Sequence, residues 1–135
     1  LCADLGFSAE DRSENIRRIV EMVKLFTEAG IIAMTAFISP YIKDRDWVRS
    51  LAGKDKFIEI YCDSSLAVCE SRDTKGLYAK SRRGEIAGFT GISSPYEHPV
   101  NPELHLKTDD TSLEECVDIV IKYLSDRKFI ANNSQ

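Results

Sequence analysis

IIAMTAFISPY (Ile31–Tyr41) decides how the rest of the chain is expected to fold. Ile31–Ile38 is apolar on both alternations. A strand buried on both faces, as in a parallel sheet, reads this way. Pro40 ends it, because proline gives no amide to a ladder. Two further stretches read as strands, Phe57–Cys62 (FIEIYC) and Glu103–Lys107 (ELHLK). Helical patterns lie around them. Ser8 followed by Asp11 marks a helix start. Ile16, Ile19, Val20, Val23 and Phe26 then fall on one helix face, and Gly30 supplies a left-handed stop. Lys43–Leu51 reads as a short charged helix. Asp63 and Ser64 open another through about Arg72. Thr111 with Glu114 forms a capping box before a last helix carrying Leu113, Cys116, Val117, Val120, Ile121 and Leu124 on one side. Pro95, Pro99 and Pro102 exclude regular helix from the connector, and the tail ANNSQ is expected to fray. Helix and strand alternate without a strong hairpin turn. The predicted class is α/β, a parallel sheet flanked by helices with right-handed crossovers. Residues 1–135 read as one domain without repeat or linker. Sites in such sheets lie beyond the carboxyl ends of strands, where FISPY (Phe37–Tyr41) and YCDSS (Tyr61–Ser65) fall.

Composition narrows the function. The chain has 135 residues, 43% hydrophobic and 30% charged, with a formal net charge of −4. That balance suits a soluble globular domain and lacks the basic footprint of a general nucleic-acid binder. A small anionic ligand stays compatible with it, since local Arg and Lys outweigh the total. No apolar run reaches membrane-span length. Of the four cysteines, Cys62, Cys69 and Cys116 sit on apolar periodicities and read as small core residues; none forms a CxxC pair. His98 and His105 are too few and too scattered for a zinc site. A reducing, cytoplasmic setting is expected, or an organelle if a targeting segment precedes Leu1.

The chemistry concentrates in RDTKGLYAKSRRGEIAGFTGISSPY (Arg72–Tyr96). Lys75, Lys80, Arg82 and Arg83 lie among Gly76, Gly84, Gly88 and Gly91. Such a segment can fold over a phosphate-bearing ligand; it reads equally as a solvated basic loop. Phe89 reads either as a base-stacking ring or as a core plug. Arg12 and Asn15, one helical turn apart, fit an anion and a polar base edge, or plain surface polarity. Ser39 stands just past the first strand, as substrate contact or as a turn residue, and no Ser/His/Asp set surrounds it. No GxxxxGK[ST] phosphate loop occurs anywhere in the chain.

Five segments in order resemble the adenylylsulfate kinase (APS kinase) family of P-loop NTPase-fold enzymes. They are DLGFSAEDRSENIRRI (Asp4–Ile19), FISPY, RDTKGLY (Arg72–Tyr78), GEIAGFTGI (Gly84–Ile92) and LKTDD (Leu106–Asp110). The resemblance spans about Asp4 to Ile130. It implies transfer of the ATP γ-phosphoryl group to the 3′-hydroxyl of adenylyl sulfate, giving 3′-phosphoadenylyl sulfate with Mg²⁺ assisting, in sulfate assimilation. By matching position it implies that Phe7, Arg12 and Asn15 contact adenylyl sulfate, with Ser13 and Glu14 nearby. Ile38 and Ser39 would line the same pocket, and Lys75, Gly88 and Phe89 would close over it, Phe7 and Phe89 sandwiching the adenine. Arg72 and Thr111 match positions near the ATP adenine. Ser39 matches a serine sometimes described as a phosphorylated intermediate; with no neighbouring base it is read here as a substrate contact. The family also implies a homodimer and, in many members, fusion to a sulfurylase domain.

Departures from the family pattern are specific. Ala79 stands where a second Lys beside Lys80 is common, and Ala87 replaces a frequent basic residue before GF. The family's phosphate loop, Mg²⁺ hydroxyl ligand and acid–base carboxylate would precede Leu1. The chain is therefore expected to be an N-terminally truncated, C-terminal portion of the kinase domain, inactive and poorly stable alone. No metal ligand is assigned within it. The alternative is a non-catalytic module that binds adenylyl sulfate or mediates dimerisation without a phosphate loop; a related small kinase acting on another hydroxyl is a third reading.

Overall fold

The computed structural model describes residues 1–53 and 55–131. The expected tail Ala131–Gln135 falls, beyond Ala131, outside the described residues. The chain forms two compact units and visits each twice: residues 1–57 with 73–100, and residues 58–72 with those from Asn101 onward.

The first unit holds α1 (Ala9–Glu28) and α2 (Ile42–Ala52). Ser8 caps α1 as expected, its hydroxyl accepting from the Asp11 amide at 3.1 Å. At the other end the Ile31 amide donates to the Phe26 carbonyl and the Gly30 amide to that of Thr27. This paired closure needs a left-handed residue, and Gly30 supplies it with φ of 80°. Ile16, Ile19 and Val20 are buried. The α1 and α2 helices are joined by the Ser13 hydroxyl donating to Asp44 at 2.8 Å.

Residues 31–41 correct one expectation: no strand forms there. Ile31, Ile32, Met34, Phe37 and Ile38 are all exposed. An apolar strand is stable only with ladder neighbours at its edges and cover on its faces. Among the described residues none supplies either. Only the end of the stretch is fixed, where Pro40 is fully buried.

The second unit contains β1 (Ile60–Asp63), α3 (Leu66–Ser71), β2 (Leu104–Lys107) and α5 (Leu113–Asp126). The strands pair in parallel, in the register Ile60 with Leu104 through Asp63 with Lys107. This is the parallel arrangement the alternating pattern predicts, although β1 starts three residues later than the apolar run. Tyr61, Leu106 and Cys116 are buried. Cys62, expected inside, is exposed, because the strand turns it to the face opposite Tyr61 and no described element covers it. Ser65 caps α3. The capping box of α5 is Ser112 with Glu115, one residue beyond the Thr111–Glu114 expectation. Thr111 is occupied otherwise, its amide closing a turn onto the Lys107 carbonyl. Leu113, Val117 and Ile121 on α5 are exposed rather than core.

The loop between Arg72 and Tyr96 hides one further helix, α4 (Leu77–Arg82), which belongs to the first unit. The Asp73 carboxylate accepts from the Leu77 and Ala79 amides at 2.8 and 3.0 Å and opens it.

Candidate functional site

Arg12 gathers several of the expected residues. It sits in the first turn of α1, where Ser8 fixes the helix start. Its Nε donates to the Phe7 carbonyl at 3.1 Å and one terminal nitrogen to the Gly88 carbonyl at 2.5 Å. The other terminal nitrogen donates to the Thr90 hydroxyl at 2.8 Å. The guanidinium also lies 5.8 Å from the Phe7 ring centre. Phe7, Arg12, Gly88 and the Phe89 backbone are thus one neighbourhood, although 76 residues separate Arg12 from Gly88. Gly88 has φ of 66°, a left-handed conformation that side-chain-bearing residues rarely adopt, while the Phe7 carbonyl and the Ser94 hydroxyl, each 3.6 Å from where a Cβ would stand, leave it ordinary contact room. The Phe7 ring is exposed. The Phe89 ring meets Tyr78 edge-on, centroids 4.9 Å apart.

Ser39 is held by its carbonyl, which accepts from Arg45 at 2.5 Å. Arg45 is itself buried and reaches the Glu97 carbonyl at 2.6 Å. Glu97 returns two bonds to the same segment: its amide donates to the Pro40 carbonyl at 2.8 Å and its carboxylate accepts from the Ile42 amide at 2.6 Å. The buried guanidinium therefore stitches Ser39–Ile42 to the Tyr96–His98 connector. No hydrogen bond within the described chain engages the Ser39 hydroxyl, and Ile38 beside it is exposed.

The remaining expected residues divide clearly. Ser13 is committed to Asp44. Glu14 grips Arg17 and Arg18, at 2.7 to 2.9 Å, and these two arginines pull its carboxyl down to about 2. Arg18 also binds both carboxylate oxygens of Asp4 and so ties down the segment leading to Phe7. The Asn15 amide makes no hydrogen bond to another described residue. Lys75 is exposed just before α4, whose last turn carries Lys80 and Arg82. Arg72 and Thr111 belong to the second unit, where Arg72 donates to the Thr108 carbonyl at 2.9 Å. Asp109, within LKTDD, accepts from the Ser64 hydroxyl and the Ser65 amide, and these bonds hold its carboxyl below the usual range.

Sequence reasoning missed three residues here: Thr90, Arg45 and Glu97. Arg45 carried a usable signal, an arginine one helical turn beyond a Ser-Pro-Tyr stop. Among the described residues no group of three or more His, Cys, Asp or Glu side chains is placed to hold a metal ion. No helix of the described residues is long and apolar enough to cross a membrane.

Parallel strands joined through helices give the α/β class, an architecture shared with a solved kinase. The structure of the Mycobacterium tuberculosis APS kinase CysC in complex with AMPPNP and APS superimposes with a TM-score of 0.86 at 45% identity, covering 91% of this chain and 72% of that one. The adenylyl-sulfate kinase of Acaryochloris marina is 62% identical over 99% of this chain, and that of Marinobacter nauticus 56% identical over 98%. The chain spans 65% and 67% of the lengths of these two relatives. The family profile of adenylylsulphate kinase matches residues 1–107. The chain belongs to the adenylylsulphate kinase family.

Proposed function

We propose that the protein containing this chain phosphorylates the 3′-hydroxyl of adenylyl sulfate with ATP, releasing ADP, a proton and 3′-phosphoadenylyl sulfate. Family membership supports the reading, and so does one observation on particular residues: Arg12 joins Phe7 to Gly88, bringing together segments remote in sequence that are both expected to contact adenylyl sulfate. The solved relative is in complex with AMPPNP and APS, a nucleotide pair of the required kind.

In this reading Phe7 and Phe89 sandwich the adenine. Arg12 and Lys75 neutralise the phosphosulfate, Arg being suited to a planar anion and Lys acting as a mobile point charge. Asn15, with its amide uncommitted, takes a polar edge of the substrate. Ile38 and the unengaged Ser39 hydroxyl line the pocket. Ser13 and Glu14 act through the frame, fixing α1 by Asp44, Arg17 and Arg18. Arg72 and Thr111 lie beside the ATP adenine. The hydroxyl attacks phosphorus directly and in line, a route that requires alignment and charge neutralisation rather than a covalent intermediate. No described carboxylate or imidazole hydrogen-bonds the Ser39 hydroxyl, which supports a contact role over a phosphorylated serine. Mg²⁺ is taken to accompany ATP; the described residues assemble no ligand cluster for it, and no step is assigned to the ion.

We further propose a homodimer in a reducing, cytoplasmic compartment, in keeping with four cysteines that are all free. Light scattering of the purified protein tests the dimer. For the activity, the full-length protein is incubated with ATP, Mg²⁺ and adenylyl sulfate, and 3′-phosphoadenylyl sulfate is resolved by ion-exchange chromatography. Absence of product above the no-enzyme control overturns the kinase reading.

A further inference from the structure

We propose that Thr90 is a positioning residue for the substrate: its hydroxyl, acting through Arg12, holds the Gly88–Ser94 turn at the start of α1. The inference rests on the adenylyl sulfate site proposed above. The turn is built as a self-contained piece. The Phe89 carbonyl accepts from the amides of Ile92, Ser93 and Ser94 at 3.1, 2.9 and 3.0 Å. The Phe89 amide donates to the Ser93 hydroxyl at 2.9 Å, and Gly91 donates to the Ser94 carbonyl at 2.8 Å. With both its backbone groups tied inside the turn, Phe89 travels with the turn as a unit. Where that unit rests decides where its ring stands.

Arg12 sets that resting place. A guanidinium carries five N–H donors in one plane. Three are spent on Phe7, Gly88 and Thr90, which leaves two for a ligand. The Phe7 and Gly88 bonds go to backbone carbonyls, which every residue possesses. The Thr90 bond is the one a side chain provides, at 2.8 Å and partly buried. Without that hydroxyl the guanidinium can rotate about its remaining contacts, and the turn loses a fixed seat. Phe89 and the two spare donors of Arg12 then no longer converge before the substrate arrives, and binding must order them. Adenylyl sulfate affinity suffers; ATP affinity, assigned to residues of the other unit, does not.

The test uses the full-length protein and three variants, Thr90→Val, Thr90→Ala and Thr90→Ser. KM for each substrate is measured with the other saturating, and adenylyl sulfate binding is measured by calorimetry. Loss of one charge-assisted hydrogen bond predicts that Val raises KM and Kd for adenylyl sulfate about tenfold. Ser restores them to within about twofold, and KM for ATP stays within about twofold throughout. Ala deletes the same hydroxyl without a branched replacement and serves should Val fail to fold. Unchanged adenylyl sulfate constants in the Val and Ala variants overturn the inference. So does a Ser variant as weak as Val, or a parallel rise for both substrates. An unmodified protein that shows no saturable adenylyl sulfate binding sinks the site reading itself, and this inference with it.

Discussion

Replacing Arg45 with methionine tests whether a buried guanidinium holds the Ser39 segment. Methionine keeps an unbranched apolar stem in place of the arginine's, so the packing of the stem is largely retained while the guanidinium is lost. What disappears is charge and donors. Arg45 is 8% exposed, and its terminal nitrogens donate to Ser39 and Glu97 carbonyls at 2.5 and 2.6 Å. Its guanidinium also lies 5.9 Å from the Tyr96 ring centre. A hydrogen bond to a charged donor contributes about 1.5–3 kcal/mol. Both carbonyls are only part-buried and recover some hydration, so the lower end applies to each, giving about 3 kcal/mol in all. For a domain of roughly 150–250 residues that lowers Tm by roughly 6–12 °C. Thermal unfolding of the full-length protein followed by circular dichroism reads this directly. Because Pro40 and Ile42 remain bonded to Glu97, the segment should loosen rather than detach. KM for adenylyl sulfate should then rise at temperatures well below the melt. A Tm shift under about 2 °C would show that water or neighbouring groups replace the guanidinium, and that Arg45 supports nothing.

Three further outcomes are expected. Phe89→Ala weakens adenylyl sulfate binding by stacking on the order of 1–3 kcal/mol, read by calorimetry; unchanged affinity would return Phe89 to a packing role against Tyr78. Ser112→Ala removes the hydroxyl half of the α5 capping box, the residue-112 amide keeping its bond to the Glu115 carboxylate, and lowers stability by about 1 kcal/mol in urea unfolding, whereas Thr111→Ala leaves the cap intact. Glu14, held at about 2 against an ordinary 4.5, is depressed in the folded state, so its stabilisation is complete above pH 4.5 and fades as pH falls toward 2. The urea midpoint should fall across that window, and less steeply in Glu14→Gln; identical slopes would remove Glu14 from the acid response.

The elements read from local signals were the ones placed best. α1 runs between a serine cap and a glycine stop, and both act through hydrogen bonds within a few residues. The α5 cap slipped by one because TSLEE offers the same spacing twice. Only the surrounding turn, which engages the Thr111 amide, selects Ser112. α4 was hidden in a stretch read as loop, yet Asp73 was a legible helix opener. Strands obey a different logic. FIEIYC and ELHLK became strands because each finds the other, in parallel register. IIAMTAFI has the more apolar pattern and forms none. Its pattern records what would cover it, and no described neighbour does.

The site separates composition from coupling in the same way. The types of residue were legible: an arginine and asparagine on one helix face, an aromatic among glycines, a serine before a proline. Their partners were not, because the decisive bonds cross long sequence distances. Arg12 reaches Thr90 over 78 positions, and Arg45 reaches Glu97 over 52. No periodicity encodes such pairs. Apart from the Thr90 hydroxyl, the acceptors that these two helix cations meet are backbone carbonyls, which any sequence could present, so the sequence names the donor and leaves the acceptor open. The sequence accordingly offers Arg12 as a ligand contact or as surface polarity, when most of its donors serve the protein itself. A charged residue beside a mobile loop can therefore be expected to divide its donors between framework and ligand. Substituting it perturbs both at once, and the separable probe of the framework share is the neutral partner, Thr90, rather than the arginine.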